Sequence, residues 1–220
     1  MPDPRWAISD IHLGSRNAAD DFNDVGHGSE SLLIDWLQDK QDGTVIVIGD
    51  LFDLWRAKLH EIENSYANLI PLLFRKMHTY VVGNHDQWLI GNMTIYRGVP
   101  IVPELRIDGA IFTHGNRWDP VNAYGSLSGE VITEAEAWFA ARFGHGIAIA
   151  SEEIADKAQS LGRHGDPMAY REYALSYAKE QGEKAIYIGH THVADRVIQD
   201  GITYQNAGTW VNGEKGWAKL

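Results

Sequence analysis

Five short runs rich in β-branched and aromatic residues constrain this chain most, because each one ends at once in Gly, Asp, Asn or His. Trp6-Ala7-Ile8-Ser9 runs into Asp10, Val45-Ile46-Val47-Ile48 into Gly49-Asp50, and Tyr80-Val81-Val82 into Gly83-Asn84-His85. Ala110-Ile111-Phe112-Thr113 runs into His114-Gly115, and Ile186-Tyr187-Ile188 into Gly189-His190. Continuous apolar runs of this length suit strands buried on both faces of a layered α/β structure. Helical periods lie between them: Leu32, Leu33, Trp36 and Leu37 after the first, and Ile62, Tyr66, Leu69, Ile70 and Leu73 after the second. Strands alternating with helices predict parallel or mixed sheets, which carry their sites at the carboxyl ends of the strands. The polar residues of this chain cluster there.

From 116 to 183 the pattern turns helical, with stripes at Val131, Ala135, Trp138 and Phe139, at Ile154, Ala155, Ala158 and Leu161, and at Tyr170, Tyr173, Ala174, Tyr177 and Ala178. We therefore expect one domain over 1–220 with a helical insertion, a candidate cap, at 116–183. Short alternating strands follow at 196–199, 202–205 and 209–211, with Asp200-Gly201 as a hairpin turn. A chain of 220 residues can bury about 70% of its unfolded surface, so no covalent staple is needed. The absence of cysteine removes disulfides, thiolate zinc, iron–sulfur clusters and a thiol nucleophile, leaving His, Asp, Glu and Asn to hold any metal. With 19 basic against 30 acidic residues and a net charge of −11, no duplex nucleic acid partner is expected. No signal peptide or bilayer-length apolar run is visible, which predicts a cytoplasmic protein and leaves peripheral membrane contact open.

Five of the ten histidines, His12, His85, His114, His190 and His192, sit beside Asp, Asn or Gly just after a predicted strand. Asp10-Ile11-His12 and His190-Thr191-His192 place two ligand types at i and i+2, which in an extended segment point to the same side. Mixed oxygen and imidazole donors suit Mn, Fe, Zn, Ni or Co better than Ca. The neighbouring glycines would let the backbone approach such ions closely. His27, His60, His78, His145 and His164 match no motif, and surface or packing roles are the default for them.

In order, Asp10-x-His12, Gly49-Asp50-x-x-Asp53, Gly83-Asn84-His85-Asp86, His114 and Gly189-His190-x-His192 resemble the calcineurin-like metallophosphoesterase superfamily over essentially the whole chain. The resemblance implies a four-layer αββα sandwich of two mixed β-sheets flanked by helices, with a two-metal site. It implies that Asp10, His12, Asp50 and His192 hold one ion and that Asp50, Asn84, His114 and His190 hold the other, with Asp50 as the bridge. Two divalent cations, Mn first, would clamp phosphate oxygens and lower the pKa of a bridging water for in-line attack. His85 would protonate the leaving oxygen, with Asp86 or Asp53 orienting its ring.

Asp53-Leu54-Trp55 and Asp86 stand where protein phosphatases of the superfamily continue with Arg-Gly and end in Glu. The opening Ile8-Ser9-Asp10-Ile11-His12-Leu13-Gly14, the segment Gly49 to Trp55 and the ending Asn206-Ala207-Gly208-Thr209-Trp210-Val211 look like the UDP-2,3-diacylglucosamine pyrophosphatase group. That likeness implies a nucleotide-sugar or lipid-linked diphosphate as substrate. His85 stands where that group commonly has Arg. A phosphodiesterase or nuclease acting on small nucleotides or single-stranded ends is the alternative, and a non-catalytic scaffold on the same fold a third. Arg16, Arg56 and Arg117 are candidates to grip the non-transferred phosphate. Trp55, Trp88, Trp118 and Trp210 follow the motifs closely, either packing the loops or walling a pocket.

Overall fold

The computed structural model describes residues 3–17, 20–23, 28–119 and 166–220. Its first sheet is built from β1 (Trp6–Ile8), β2 (Val45–Ile48), β3 (Met77–Val81), β4 (Ile95–Tyr96), β5 (Val99–Val102) and β11 (Ala218–Lys219), in the order β11-β1-β2-β3-β5-β4. Strands β1, β2, β3 and β5 run parallel, and β11 and β4 close the two edges antiparallel. The second sheet contains β6 (Leu105–Ile107), β7 (Ala110–Phe112), β8 (Ala185–Ile188), β9 (Asp195–Gln199) and β10 (Ile202–Asn206), in the order β6-β7-β8-β10-β9. It too is mixed: β7, β8 and β10 run parallel, while β6 and β9 are antiparallel edges.

Strand periodicity sorts the apolar side chains into three layers. Ala7, Ile46, Ile48 and Val81 of the first sheet meet Phe112 and Tyr187 of the second, with the Phe112 and Tyr187 rings stacked at 4.9 Å. Val45, Val47 and Tyr80 point the other way, onto helices α1 (Ser29–Gln38) and α3 (Leu69–Lys76) through Leu33, Leu37, Leu69 and Leu73. Ile186, Ile188, Ile202 and Tyr204 pack on a third helical face formed by Tyr170, Ala174, Leu175 and Ala178. The result is the expected αββα sandwich of two mixed sheets with helices outside both. Among the described residues no helix is long and apolar enough to cross a membrane.

Three features depart from the sequence reading. The stripe from Ile62 to Leu73 forms two helices, α2 (Leu59–Ser65) and α3, because Tyr66 ends the first with φ −115° and ψ 40°. Residues 209–211 are not a strand: Trp210 N–H donates to the carbonyl of Asp10, and Val211–Gly213 form a 3-10 turn. The last helical stripe is the helix Pro167–Gln181, capped by the Asp166 side chain, and it covers the second sheet as a layer of the sandwich. The other two stripes of the expected insertion, with His145 and His164, lie outside the described residues.

Aromatic packing joins the chain ends. Trp210 is fully buried against Trp36, ring centroids 5.6 Å apart, and Trp36 meets Trp6 at 6.1 Å. Trp210→Ala should therefore cost about 3–5 kcal/mol, the usual loss for a buried aromatic, measured by urea unfolding; a loss under 1 kcal/mol would show that the loop, not the ring, carries this contact.

Candidate metal centre

All five strand ends singled out above converge where the carboxyl ends of β1, β2 and β3 meet those of β7 and β8. Three ligand-sized groups lie there: Asp10 with His12 and His192, His12 with Asp50 and His85, and Asp50 with His114 and His190. Within each group the donor atoms lie within 4.8 Å of one another. His12 and Asp50 each belong to two groups, so the three form one continuous centre.

The backbone explains why i and i+2 residues share it, and not in the way extended chain would. Asp10, His12, Asp50, His190 and His192 all have left-handed backbone, with φ of 52°, 52°, 50°, 70° and 58°. Strands β1, β2 and β8 thus end in tight turns that swing their ligands inward, at a cost on the order of 1–3 kcal/mol per such residue. Glycines make room for the ligand side chains rather than for ions. A Cβ on Gly83 would overlap the carboxylate of Asp50, and one on Gly189 would collide with Ser9 and Asp10.

Hydrogen bonds hold one side of each ligand and leave the other bare. Asp10 Oδ2 accepts from Ser9 Oγ at 2.5 Å and from the N–H of His190 at 2.9 Å, whereas Oδ1 is buried with no hydrogen bond. His114 Nδ1 donates to the carbonyl of Ile48 at 2.9 Å, which leaves Nε2, also without a hydrogen bond, 3.0 Å from Asp50 Oδ2. Asn84 Oδ1 is a third such atom, and Asn84 sits between Gly83 and His85, whose N–H donates to Asp50 Oδ1 at 3.0 Å. The Nε2 atoms of His12 and His192 face each other at 3.1 Å. Buried acceptors are rarely left unpaired. A donor set of carboxylate, amide oxygen and imidazole, with its donor atoms turned toward one another, fits divalent cations.

Charge balance points the same way. Burial works against charge on His12 and His114, yet Asp10 and Asp50 beside them push these imidazoles up to about 9 and about 10. Burial would raise Asp10 and Asp50, but the imidazoles, His114 foremost, hold both carboxyls low. Without an ion, protons on the histidines neutralise the carboxylates. Burial lowers His190, whose Nε2 lies 3.1 Å from Asp119 Oδ2. Asp119 thereby orients His190 and leaves Nδ1 to the centre. It stands five residues after His114, just past the 3-10 turn Asn116–Trp118, and no strand-end pattern marks it.

His85 lies beside the centre, its ring edge-on to His12 at 4.7 Å and stacked on Trp55 at 3.9 Å. Asp53 Oδ1 is 3.0 Å from His85 Nδ1 and orients the ring. Asp86 does not. Its fully buried carboxylate accepts from the N–H groups of Leu51 and Gly83 at 2.8 and 2.7 Å and from the Tyr80 hydroxyl, tying the loop after β2 to the loop after β3. Burial first, and then the Asp50 charge, push it up to about 6.

The three arginines have other partners. Arg117 pairs with Glu104 at 3.0 Å and lies over the Tyr177 ring, and Arg16 straps its loop to the carbonyl of Ser65 and to Glu30. Arg56 pairs with Asp21 and lies 3.5 Å from Asp53 Oδ2, so it alone of the three stands at the His85 side of the centre. The four tryptophans divide as well: Trp210 is core, Trp118 packs on Tyr177, Trp55 stacks on His85 and Trp88 is exposed. The ending Asn206 to Trp210 acquires a role that its sequence did not show. Asn206 Nδ2 donates to the carbonyl of Gly189 at 2.8 Å, and Thr209 Oγ1 to that of Asp10 at 2.8 Å, locking the first and last ligand loops together.

The sequence model of the calcineurin-like phosphoesterase family matches residues 4–194. The chain belongs to that family. No curated protein matches it. Solved structures with similar chain paths include an uncharacterized protein from Streptococcus pneumoniae TIGR4 described as a predicted phosphoesterase, at 17% identity, covering 93% of this chain and 71% of that one, with a TM-score of 0.37. A Vps29 variant from Entamoeba histolytica shares 14% identity, with 93% and 73% covered and a TM-score of 0.43. The phosphopantetheinyl hydrolase PptH from Mycobacterium tuberculosis shares 15%, with 99% and 95% covered and a TM-score of 0.42. Membership rests on the family model, and the likeness to these structures carries no further weight.

Two outcomes follow for the metal-free protein. Because His12 and His114 are raised above their ordinary 6.5, the stability they contribute is complete below that pH and is lost as pH climbs through about 9 to 10. The melting temperature of chelator-treated protein should fall between pH 7 and pH 10, and a divalent cation should flatten that fall; identical curves with and without cation would contradict it. Asp50→Asn should reduce bound metal by elemental analysis, and unchanged content would remove Asp50 from the centre.

Proposed function

We propose that this chain hydrolyses phosphoesters with two divalent cations held between the ends of its two sheets. In this reading Asp10, His12, Asp50 and His192 hold one ion, and Asp50, Asn84, His114 and His190 hold the other, with Mn first and Fe, Zn, Ni or Co as the other candidates. One observation carries it: strand ends from two sheets bring Asp10, His12, Asp50, His114, His190 and His192 together, while Asp10 Oδ1, Asn84 Oδ1 and His114 Nε2 stay buried without a hydrogen bond. When bound, such a pair of ions supplies a nucleophile from water and neutralises phosphate charge.

The chain's own residues supply the remaining chemistry. With His85 protonated, its Nδ1–H stays with Asp53 and its Nε2–H is left to donate to the leaving oxygen. Trp55 and the Asp53 contact hold that ring in one orientation before substrate arrives. Arg56, beside Asp53, is the arginine placed to meet a phosphate oxygen, once drawn from Asp21. Ser9, Asp119 and Asn206 hold ligands or ligand loops and touch no substrate.

For the substrate we favour a nucleotide-sugar or lipid-linked diphosphate, on the sequence likeness of the opening and closing motifs, with membrane contact at most peripheral. A phosphodiesterase acting on small nucleotides is the second reading, favoured by the exposed Trp88 on the His85 side. The retention of all seven ligand types and His85 speaks against a scaffold that has lost its chemistry. A panel of phosphomonoesters, cyclic nucleotides, dinucleotides and UDP-diacylglucosamine in the presence of Mn, with product identification, separates these readings. His85→Ala should lower turnover of the best substrate by about 10²–10⁴-fold with metal content retained; unchanged turnover would remove His85 from the acid role.

A further inference from the structure

A groove of about 1200 Å³ opens from His85 away from the candidate metal centre, between the loop after β2 and helix α4 (Trp88–Asn92). Ligand pockets for small molecules typically measure about 300–1,000 Å³, so this one exceeds what a phosphate needs. Most of its wall area is apolar, from Leu54, Trp55, Leu59, Trp88, Ile90 and Pro103, with Arg56, Lys58, Glu61 and Glu63 among the other lining residues. Trp88 and Ile90 are 54% and 38% exposed, and neither helps to close the core that neighbouring Leu89 fills. Among the described residues, neither side chain belongs to a core cluster.

The groove and the centre meet at one residue. His85 lines the groove with Trp55 stacked on its ring, while its far side touches His12. A group that donates to the leaving oxygen stands, by the geometry of in-line displacement, on the leaving-group side of the phosphorus. We propose that the groove receives the leaving group of the phosphoester, and that this group is apolar, an alkyl or acyl chain or an aryl ring. The proposal rests on the hydrolase reading above and extends it to specificity: Trp88 and Ile90 select the leaving group without touching the reacting atoms.

Methyl 4-acylphenyl phosphates test this, because the acyl chain can grow from acetyl to decanoyl while the acidity of the leaving phenol stays matched. With Mn present, kcat/KM should rise about two- to fourfold for each of the first added methylenes. Trp88→Ala and Ile90→Asn should flatten that rise, costing the decanoyl ester far more than the acetyl ester. A benzoyl analogue distinguishes the sources: a gain for benzoyl with none for long chains assigns the groove to aryl groups, and the converse assigns it to chains. An active enzyme indifferent to both would overturn the proposal. If neither these esters nor the substrate panel above is hydrolysed, the hydrolase reading fails; whenever these esters are inert, the groove is decided separately by titrating 4-decanoylphenol into the Mn-loaded protein. Saturable quenching of tryptophan fluorescence, weakened in Ile90→Asn, would uphold the groove, and no saturable binding would overturn it.

Discussion

The burial of two carboxylates, Asp10 and Asp50, among imidazoles governs this structure. Both carboxylates are buried, at the ends of neighbouring parallel strands, in a place where burial alone would drive them neutral. Imidazoles from the opposite sheet, His114, His190 and His192, face them and set the spacing of the two sheets at this end. The interior between the sheets is apolar from Ala7 to Phe112 and turns polar only at this rim. Two sheets of a sandwich could slide on an apolar interface alone. Here a polar rim with directional partners pins one orientation.

Around that rim lies a layer of residues that serve only to hold others. Ser9 occupies one oxygen of Asp10, Asp119 turns His190, and Asp86 joins the loops after β2 and β3. Asn206 and Thr209 bring the end of β10 onto the loops that carry His190 and Asp10. Each contact is worth about 1 kcal/mol net, or more where a charge takes part. Together they offset the strain of five left-handed ligand positions, so the bare faces of Asp10 and His114 are built in and not left over.

The fold and the centre were legible in the sequence to the extent that they depend on strands. Apolar runs of four residues followed by Gly, Asp, Asn or His mark where a buried strand ends and a site begins, and the structure brings Asp10, His12, Asp50, His85, His114, His190 and His192 together there. What a side chain does after the strand ends was not legible. Asp86 and Asp53 are both near His85 in the motifs, but the turn after Asn84 sends Asp86 under the loop, where Tyr80 and backbone N–H groups claim it. Arg117 and Arg16 follow ligands closely, yet Glu104 and Glu30, far from them in sequence, hold them elsewhere. Such pairings depend on tertiary neighbours, which local pattern does not encode. Residues 209–211 look β-rich because Trp and Val are, yet the Trp210 N–H bonds to Asp10 and the carbonyls of Thr209 and Val211 accept from Gly216 and Glu214, not from a strand.

Asp10 is held from the far end of the chain, by the N–H of His190 and the hydroxyl of Thr209, and β11 closes beside β1. A chain emerging from the ribosome would carry its first carboxylate ligands long before the residues that complete their surroundings exist. A polypeptide that stops short of residue 190 therefore holds Asp10 without the contacts that orient its carboxylate and its loop.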